Sequence, residues 1–313
     1  MRIPGVSLIV TVAFIAACGP RPLPTARVAP IFGPAVGRDT ISGHVVDDRG
    51  TVYLMVGAST LVSIDLESRT QRTDVIRLPS TERCWGLARL SDGSLWTLMG
   101  MNAVIQIGPG AAVAREVSLP VAHLGVFGAR DRLILQRGSL PAGEPVLYSG
   151  TPGAAIQLPW SEMTARPFET LAMGAAAALN LVSCGTTRSG EIPCWFPDEP
   201  AVFLITGDGR TRRLTLDGLP HAAPEVLINA RTPQRPVRDV FVEKDGTMWV
   251  LSTGTRLPEG KDLPGGWLLA RYGRRGESID RRLLPEPARL ILRAAGGRAL
   301  VLTGSGMVAE VQP

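Results

Sequence analysis

A chain of 313 residues that is 45% hydrophobic can bury a large core, which excludes a small disulfide scaffold and a disordered chain. Charged residues make up only 19%, and 35 glycines with 26 prolines supply more turn formers than a helical bundle tolerates, so the composition points to a turn-rich β protein. Lys+Arg 33 against Asp+Glu 28 leaves +5, but arginines and carboxylates interleave along the chain, as in Arg212-Arg213 followed by Asp217, without the basic stripe that nucleic acid requires.

At the N-terminus, Arg2 precedes the apolar run Val6 to Ala17 and then Cys18. The run is too short to span a bilayer as a helix and has the make-up of a signal-peptide core. Ile15-Ala16-Ala17-Cys18 resembles a bacterial lipobox, in which a cysteine after small residues is lipidated and becomes the mature N-terminus. That resemblance implies a signal peptide over 1–17, a lipidated Cys18 with a proline-stiffened tether over 18–27, and a single folded domain over 28–313. Acyl chains, at about 0.8 kcal/mol per buried methylene, would hold the protein on a membrane. Gly19 rather than Asp after the cysteine is similar to the outer-membrane sorting pattern. The expected location is therefore the bacterial cell envelope, extracytoplasmic, and in a Gram-negative host the periplasmic face of the outer membrane.

Three segments of the following chain share one pattern, an apolar strand, an Asp and Gly turn, then an apolar-aromatic-apolar strand. They are VVDDRGTVYLMV from Val45, LARLSDGSLWTLM from Leu87 and VFVEKDGTMWVLS from Val240, with weaker copies from Val126 and Leu292. Asp-Gly supplies the residues that a hairpin turn needs, and the alternating flanks read as strands. Each copy is followed by two further apolar runs, the last ending in Leu-Pro at Leu78-Pro79, Leu119-Pro120, Leu158-Pro159, Leu219-Pro220 and Leu284-Pro285. Proline fits a strand end, where no ladder donor is required.

Four antiparallel strands repeated about every 40 residues predict an all-β propeller. Counting strands gives six blades, at about 41–79, 84–120, 122–159, 167–220, 237–285 and 288 to the end, with seven as the alternative that length permits. The sixth has three strands of its own. Arg27 to Phe32, ahead of the first blade, supplies the fourth and closes the ring. Phe168 to Val182 is rich in alanine, which favours a helix, but it is read as two strands because blade four otherwise lacks a pair. In an oxidising compartment, Cys184 and Cys194 flank a short polar stretch and are the first choice for a disulfide, leaving Cys84 a buried thiol beside Trp85; the other two pairings stay open.

At DGSLWTL and DGTMWVL, with Asn102 to Ile107 downstream, the chain resembles the propeller repeats of the streptogramin-lyase and NHL-like superfamily over most of residues 41–313. Streptogramin lyases resemble it in blade form, are typically seven-bladed, and use a His and Glu pair with magnesium. No such motif surrounds His44, His123 or His221, and Asn102, Asn180 and Asn229 do not match the metal set of gluconolactonase-like propellers. Neither a metal nor a cofactor is expected.

In a four-stranded blade, the first-to-second and third-to-fourth connections lie on one face, and the second-to-third loops and blade-to-blade links on the other. Every long loop falls on the second face: Arg137 to Pro145, Cys184 to Cys194, Ala222 to Pro236 and Thr253 to Gly266. The residues just before each inner strand reach the same face. They place Arg83, His123, Glu169, Arg238, Asp239 and Arg289, with Arg38 nearby, around the channel mouth as candidates for binding an anionic or polar ligand. The plainer reading of the same arginines is pairing with carboxylates at blade junctions. Trp85, Trp96 and Trp249 read as core between blades, His44 as a packing residue, and Trp195-Phe196 as either an exposed contact or a buried pair.

The leading expectation is a lipid-anchored module that binds a protein or an anionic small molecule on the long-loop face, without catalysis and without nucleic acid. One alternative is a lyase or lactonase-like enzyme, with His123 or Glu169 as general base and Arg83, Arg238 or Arg289 stabilising developing negative charge. The other is a structural subunit of a cell-envelope complex.

Overall fold

The computed structural model describes residues 23–34, 36, 41–78, 82–137, 141–151, 158–167, 179–187, 190–196, 199–219, 237–253 and 267–312. Its Asp-Gly sequences close tight hairpins. In each, the residue starting the turn pairs with the one after the glycine, as in Glu243 N–H to the Thr247 carbonyl at 2.8 Å, and Gly246 adopts φ 85°. That left-handed conformation is open to glycine and strained for other residues, which is why glycine recurs there.

The strands assemble into six sheets. Blade one is Ile41–Val46, Thr51–Val56, Thr60–Asp65 and Thr70–Val75; blade two is Cys84–Arg89, Leu95–Met99, Ala103–Ile107 and Val113–Ser118. Blade three is His123–Ala129, Arg132–Arg137, Leu147–Gly150 and Leu158–Pro159; blade four is Ser183–Cys184, Ile192–Trp195, Ala201–Ile205 and Thr211–Thr215. Blade five is Val237–Val242, Met248–Thr253, Trp267–Tyr272 and Ser278–Leu284, with Thr186–Thr187 added in parallel beside its inner strand. Blade six is Ala288–Ala295, Arg298–Thr303 and Met307–Gln312, completed by Arg27–Pro34. The fold is a six-bladed propeller whose ring the N-terminal strand closes, as the repeat predicts.

Burial is lowest in the outermost strands. Met248–Thr253, the second strand of blade five, is buried at every position but the last, whereas Thr70–Val75, the outermost of blade one, is mostly exposed, because strands near the axis are covered on both sides by neighbouring blades. Six apolar clusters form the core, each filling a junction between adjacent blades. Phe241, Trp249 and Leu269 of blade five meet Ile291 and Val301 of blade six, and Met55 and Leu61 of blade one meet Cys84, Met99 and Ile105 of blade two. The other four clusters fill the remaining junctions in the same way.

The closing strand, Arg27–Pro34, pairs antiparallel with Met307–Gln312 and carries register shifts at Pro30/Phe32 and Phe32/Pro34. An outermost strand needs no donor on its free edge, so its prolines are accommodated with bulges. Residues ahead of it are docked too. The Ala26 N–H donates to the Leu283 carbonyl at 2.8 Å and the Leu283 N–H to the Pro24 carbonyl at 3.0 Å, so part of the segment assigned to the tether lies against blade five.

Blade four differs from the expectation in two respects. Its first strand pair is Ser183–Cys184 with Ile192–Trp195, so it is complete without two strands from Phe168 to Val182. Of that segment, residues 168–178 lie outside the described residues and Leu179 is helical. The stretch between Cys184 and Cys194 is consequently a first-to-second hairpin, whose tip at Gly190 and Glu191 belongs on the turn face and not with the long loops. The difference follows from where the first strand pair lies, since two strands within Phe168 to Val182 would make the Cys184 to Cys194 stretch a second-to-third loop. Cys184 and Cys194 do form the disulfide, across directly paired residues with Cα atoms 4.1 Å apart. Cys84 is the free cysteine among the described residues and is buried.

Candidate functional site at the channel mouth

Five of the six inner strands carry one extra residue at the same height. The register slips between Ile41 and Gly43, Trp85 and Ala88, His123 and Gly125, Val237 and Asp239, and Ala288 and Leu290. A bulge of this kind re-aims side chains and leaves ladder groups unpaired. In blade two the loss is made good by Thr97, whose Oγ1 donates to the Gly86 carbonyl at 2.8 Å. Blade four has no bulge in its described pairs and carries the disulfide at that level instead.

Backbones approach closely there. A Cβ on Gly43 would collide with the backbone of Gly86 and Leu87 in the next blade, and one on Gly185 with the Val240 carbonyl. Glycine at these points lets the inner strands converge around the axis.

A cavity of about 930 Å³ opens where the bulges lie, with walls from all six blades. Its rim is apolar. Trp85, Met101 and Leu124 line it and are 43%, 51% and 43% exposed. Val121, 39% exposed, lies in the link between blades two and three. Thus three of the six large apolar side chains exposed on the described surface gather in one cavity, the kind of patch that marks a binding surface. Trp85 is therefore not core between blades, unlike Trp96 and Trp249, which are buried; Trp195 and Phe196 are buried as well. The distinguishing signal is position: Trp96 and Trp249 follow the Asp-Gly turn in second strands, whereas Trp85 precedes it, beside a bulge.

The candidate residues separate on this surface. Arg83 and Arg238 both line the cavity and are exposed. Arg238 also stands over the Trp267 ring at 5.9 Å, and partial burial holds its guanidinium below the usual arginine value. Asp239 lines the cavity but is buried; its Oδ1 accepts the Val240 N–H at 2.9 Å and its Oδ2 the Ile291 N–H at 2.7 Å, tying blade five to blade six. His123 belongs to the wall yet has no exposed surface, and its backbone N–H donates to the Met101 carbonyl at 2.8 Å. Arg289 is not among the lining residues and donates to the Gly304 carbonyl at 2.9 Å. Glu169 and Arg38 lie outside the described residues, as do His221, Cys18 and most of the long loops after Arg137, Leu219 and Thr253.

Sequence reasoning missed His44. It lines the cavity from blade one, with Nε2 3.5 Å from Asp239 Oδ2. Among the described residues no group of three or more His, Cys, Asp or Glu side chains is arranged to hold a metal ion.

No protein-family model matches the chain, and no curated protein matches it in sequence. Solved structures do. The chain is similar to virginiamycin B lyase from Staphylococcus aureus at 12% identity, covering 92% of this chain and 99% of that one with a TM-score of 0.51. It is also similar to a member of the DUF4221 family from Bacteroides vulgatus at 10% identity, covering 92% and 96% with a TM-score of 0.56. At these identities the likeness is one of fold, and at that level the resemblance to streptogramin-lyase-like propellers holds.

Proposed function

We propose that this propeller is a lipid-anchored, extracytoplasmic binding module whose ligand enters the channel mouth, with an aromatic or branched apolar group against Trp85, Met101 and Leu124 and an anionic group at Arg83 and Arg238. The observation that carries the reading is the cluster of exposed apolar side chains in one cavity that two exposed arginines also line. An apolar group packed there is removed from water, and a guanidinium offers paired donors to a carboxylate or phosphate. The ligand is a small molecule or a projecting group of a partner protein. His123, without exposed surface, is poorly placed as a general base, which favours binding over lyase or lactonase chemistry.

Titration with 1-anilinonaphthalene-8-sulfonate, followed by fluorescence, tests the site. Trp85→Ala combined with Leu124→Ala is expected to weaken binding by roughly tenfold or more, since buried aromatic anchors dominate such surfaces. Arg83→Gln with Arg238→Gln should weaken it by a few fold, more at low salt. Unchanged affinity in both variants would reject the channel mouth as the site. Anchoring is tested separately: Cys18→Ala should release the protein from membranes, and persistent membrane association would reject acyl attachment.

A further inference from the structure

Besides the buried His123, two titratable side chains in the cavity wall face each other and are more than nine-tenths buried: His44 of blade one and Asp239 of blade five, with side chains 9% and 2% exposed. They have not come together by packing preference, because each is costly to bury without partners. Asp239 is well provided for, with one backbone N–H on each oxygen, from Val240 and Ile291. His44 is not. Its Nε2 is enclosed and faces Asp239 Oδ2 at 3.5 Å, a charged contact too long to count as a full hydrogen bond.

The carboxylate accepts and cannot donate, so it orients the imidazole with the proton on Nε2. Nδ1 is then an acceptor. No hydrogen bond to it is present among the described residues, and His44 lines the cavity. A ring closure held by Asp239 alone would need no histidine here, since the bonds to Val240 and Ile291 already join blades five and six. An apolar residue would fill the same space without leaving nitrogen atoms unanswered.

Building on the binding reading above, we infer that the ligand carries a hydrogen-bond donor, a hydroxyl or N–H group, at the end of its apolar body, and that His44 Nδ1 receives it with Asp239 as the positioning residue. The ligand class is thus an amphipathic molecule with three ordered features. An anionic group lies at the arginine rim, an aromatic or branched apolar middle packs on Trp85, Met101 and Leu124, and a donor reaches the buried histidine. A purely apolar end would leave the imidazole unsatisfied, and a carboxylate end would meet Asp239 with like charge.

The test compares naphthalene-2-sulfonate with 6-hydroxynaphthalene-2-sulfonate, titrated calorimetrically into the full chain in detergent. The hydroxylated probe is expected to bind about five- to tenfold more tightly, the range of one net hydrogen bond. His44→Phe should abolish that preference, read as the ratio of the two affinities. Asp239→Asn should reduce it, because a neutral side chain no longer holds the imidazole proton on Nε2 and Nδ1 becomes in part a donor; a change in the ratio of the two affinities is an effect that a merely structural role would not produce. Equal affinity of the two probes for the native protein, or a preference that survives in His44→Phe, overturns the inference while leaving the binding reading standing. Failure of both probes to bind at millimolar concentration overturns both. The comparison within the native protein stands even if a variant does not fold.

Discussion

At the turn face, the hairpins of blades one, two and five answer their own polar groups. Asp47 Oδ1 accepts the N–H of Thr51 at 2.8 Å, Asp92 Oδ1 that of Ser94 at 2.9 Å and Asp245 Oδ1 that of Thr247 at 2.9 Å, and the glycines at the turn ends have φ between 84° and 89°. At the mouth, the other ends of the same inner strands are bulged, converge backbone against backbone, and lean on residues of other blades. Asp239 reaches Ile291 and Gly43 packs on Gly86, while Thr97 closes the bulge of its own blade. The difference lies in the range of the interactions. Turn-face order is mainly local in sequence, with the Ser91 N–H to the Arg130 carbonyl at 2.6 Å joining the turns of blades two and three, whereas much of the mouth's order depends on the closed ring, and there the apolar side chains are left exposed.

Substitutions of one residue type at the two ends separate these regimes. Gly43→Ala should cost about 3 kcal/mol or more, since the added carbon meets backbone that cannot move aside. Gly246→Ala, at a left-handed position where the nearest atoms belong to the mobile end of Arg274, should cost about 1 kcal/mol. Urea unfolding of both reads the contrast, and equal losses would erase it. Next in size, Cys194→Ser should lower stability by about 2 to 3 kcal/mol, from the loop-closure entropy of a bridge spanning 10 positions, and should loosen the cavity wall beside Cys184. Thr97→Val should cost about 1 to 2 kcal/mol by leaving the Gly86 carbonyl unanswered. It should also slow still further the alkylation of Cys84 by iodoacetamide, because burial pushes that thiol up to about 11 and the Thr97 hydrogen bond is what counters the rise.

The smallest effect belongs to the turn face and depends on pH. Hydrogen bonds from Ser94 hold the Asp92 carboxyl below its ordinary value, and the Thr247 N–H does the same for Asp245. Their folded values are depressed, so the contribution is complete above the unfolded value near about 4 and is lost as pH falls through the lower folded value. Thermal unfolding of Asp92→Asn with Asp245→Asn between pH 5 and pH 2 should fall less steeply than that of the native chain. A parallel decline would show that these turns do not depend on ionised aspartate.

Much of the fold was legible because its signals are local. Alternating apolar residues around Asp-Gly mark strand pairs, Leu-Pro marks strand ends, and the three-strand remainder at the C-terminus calls for Arg27 to Phe32 as its partner. Blade four was misread because Ser183–Cys184 is too short to show periodicity, and the alanines from Gly174 to Leu179 drew attention away from it. At the site, counting back from the turns brought Arg83, Arg238 and Asp239 to the mouth, since distance along an inner strand translates into height on the axis. It did not find His44, whose neighbours Gly43 and Val45 read as an ordinary packed strand, nor separate Trp85 from the buried tryptophans.

Local chemistry thus determined the number of blades and the order of strands within them, because hairpins are decided by residues close in the chain, and the strand left over at each end of the count foretold the closing pair of Arg27–Pro34 with Met307–Gln312. Which side chains share the cavity was decided only when six inner strands met at one axis. His44, Trp85 and Asp239 stand on three different blades, and the bulges that turn them toward a common space arise from contacts between sheets that no single segment encodes.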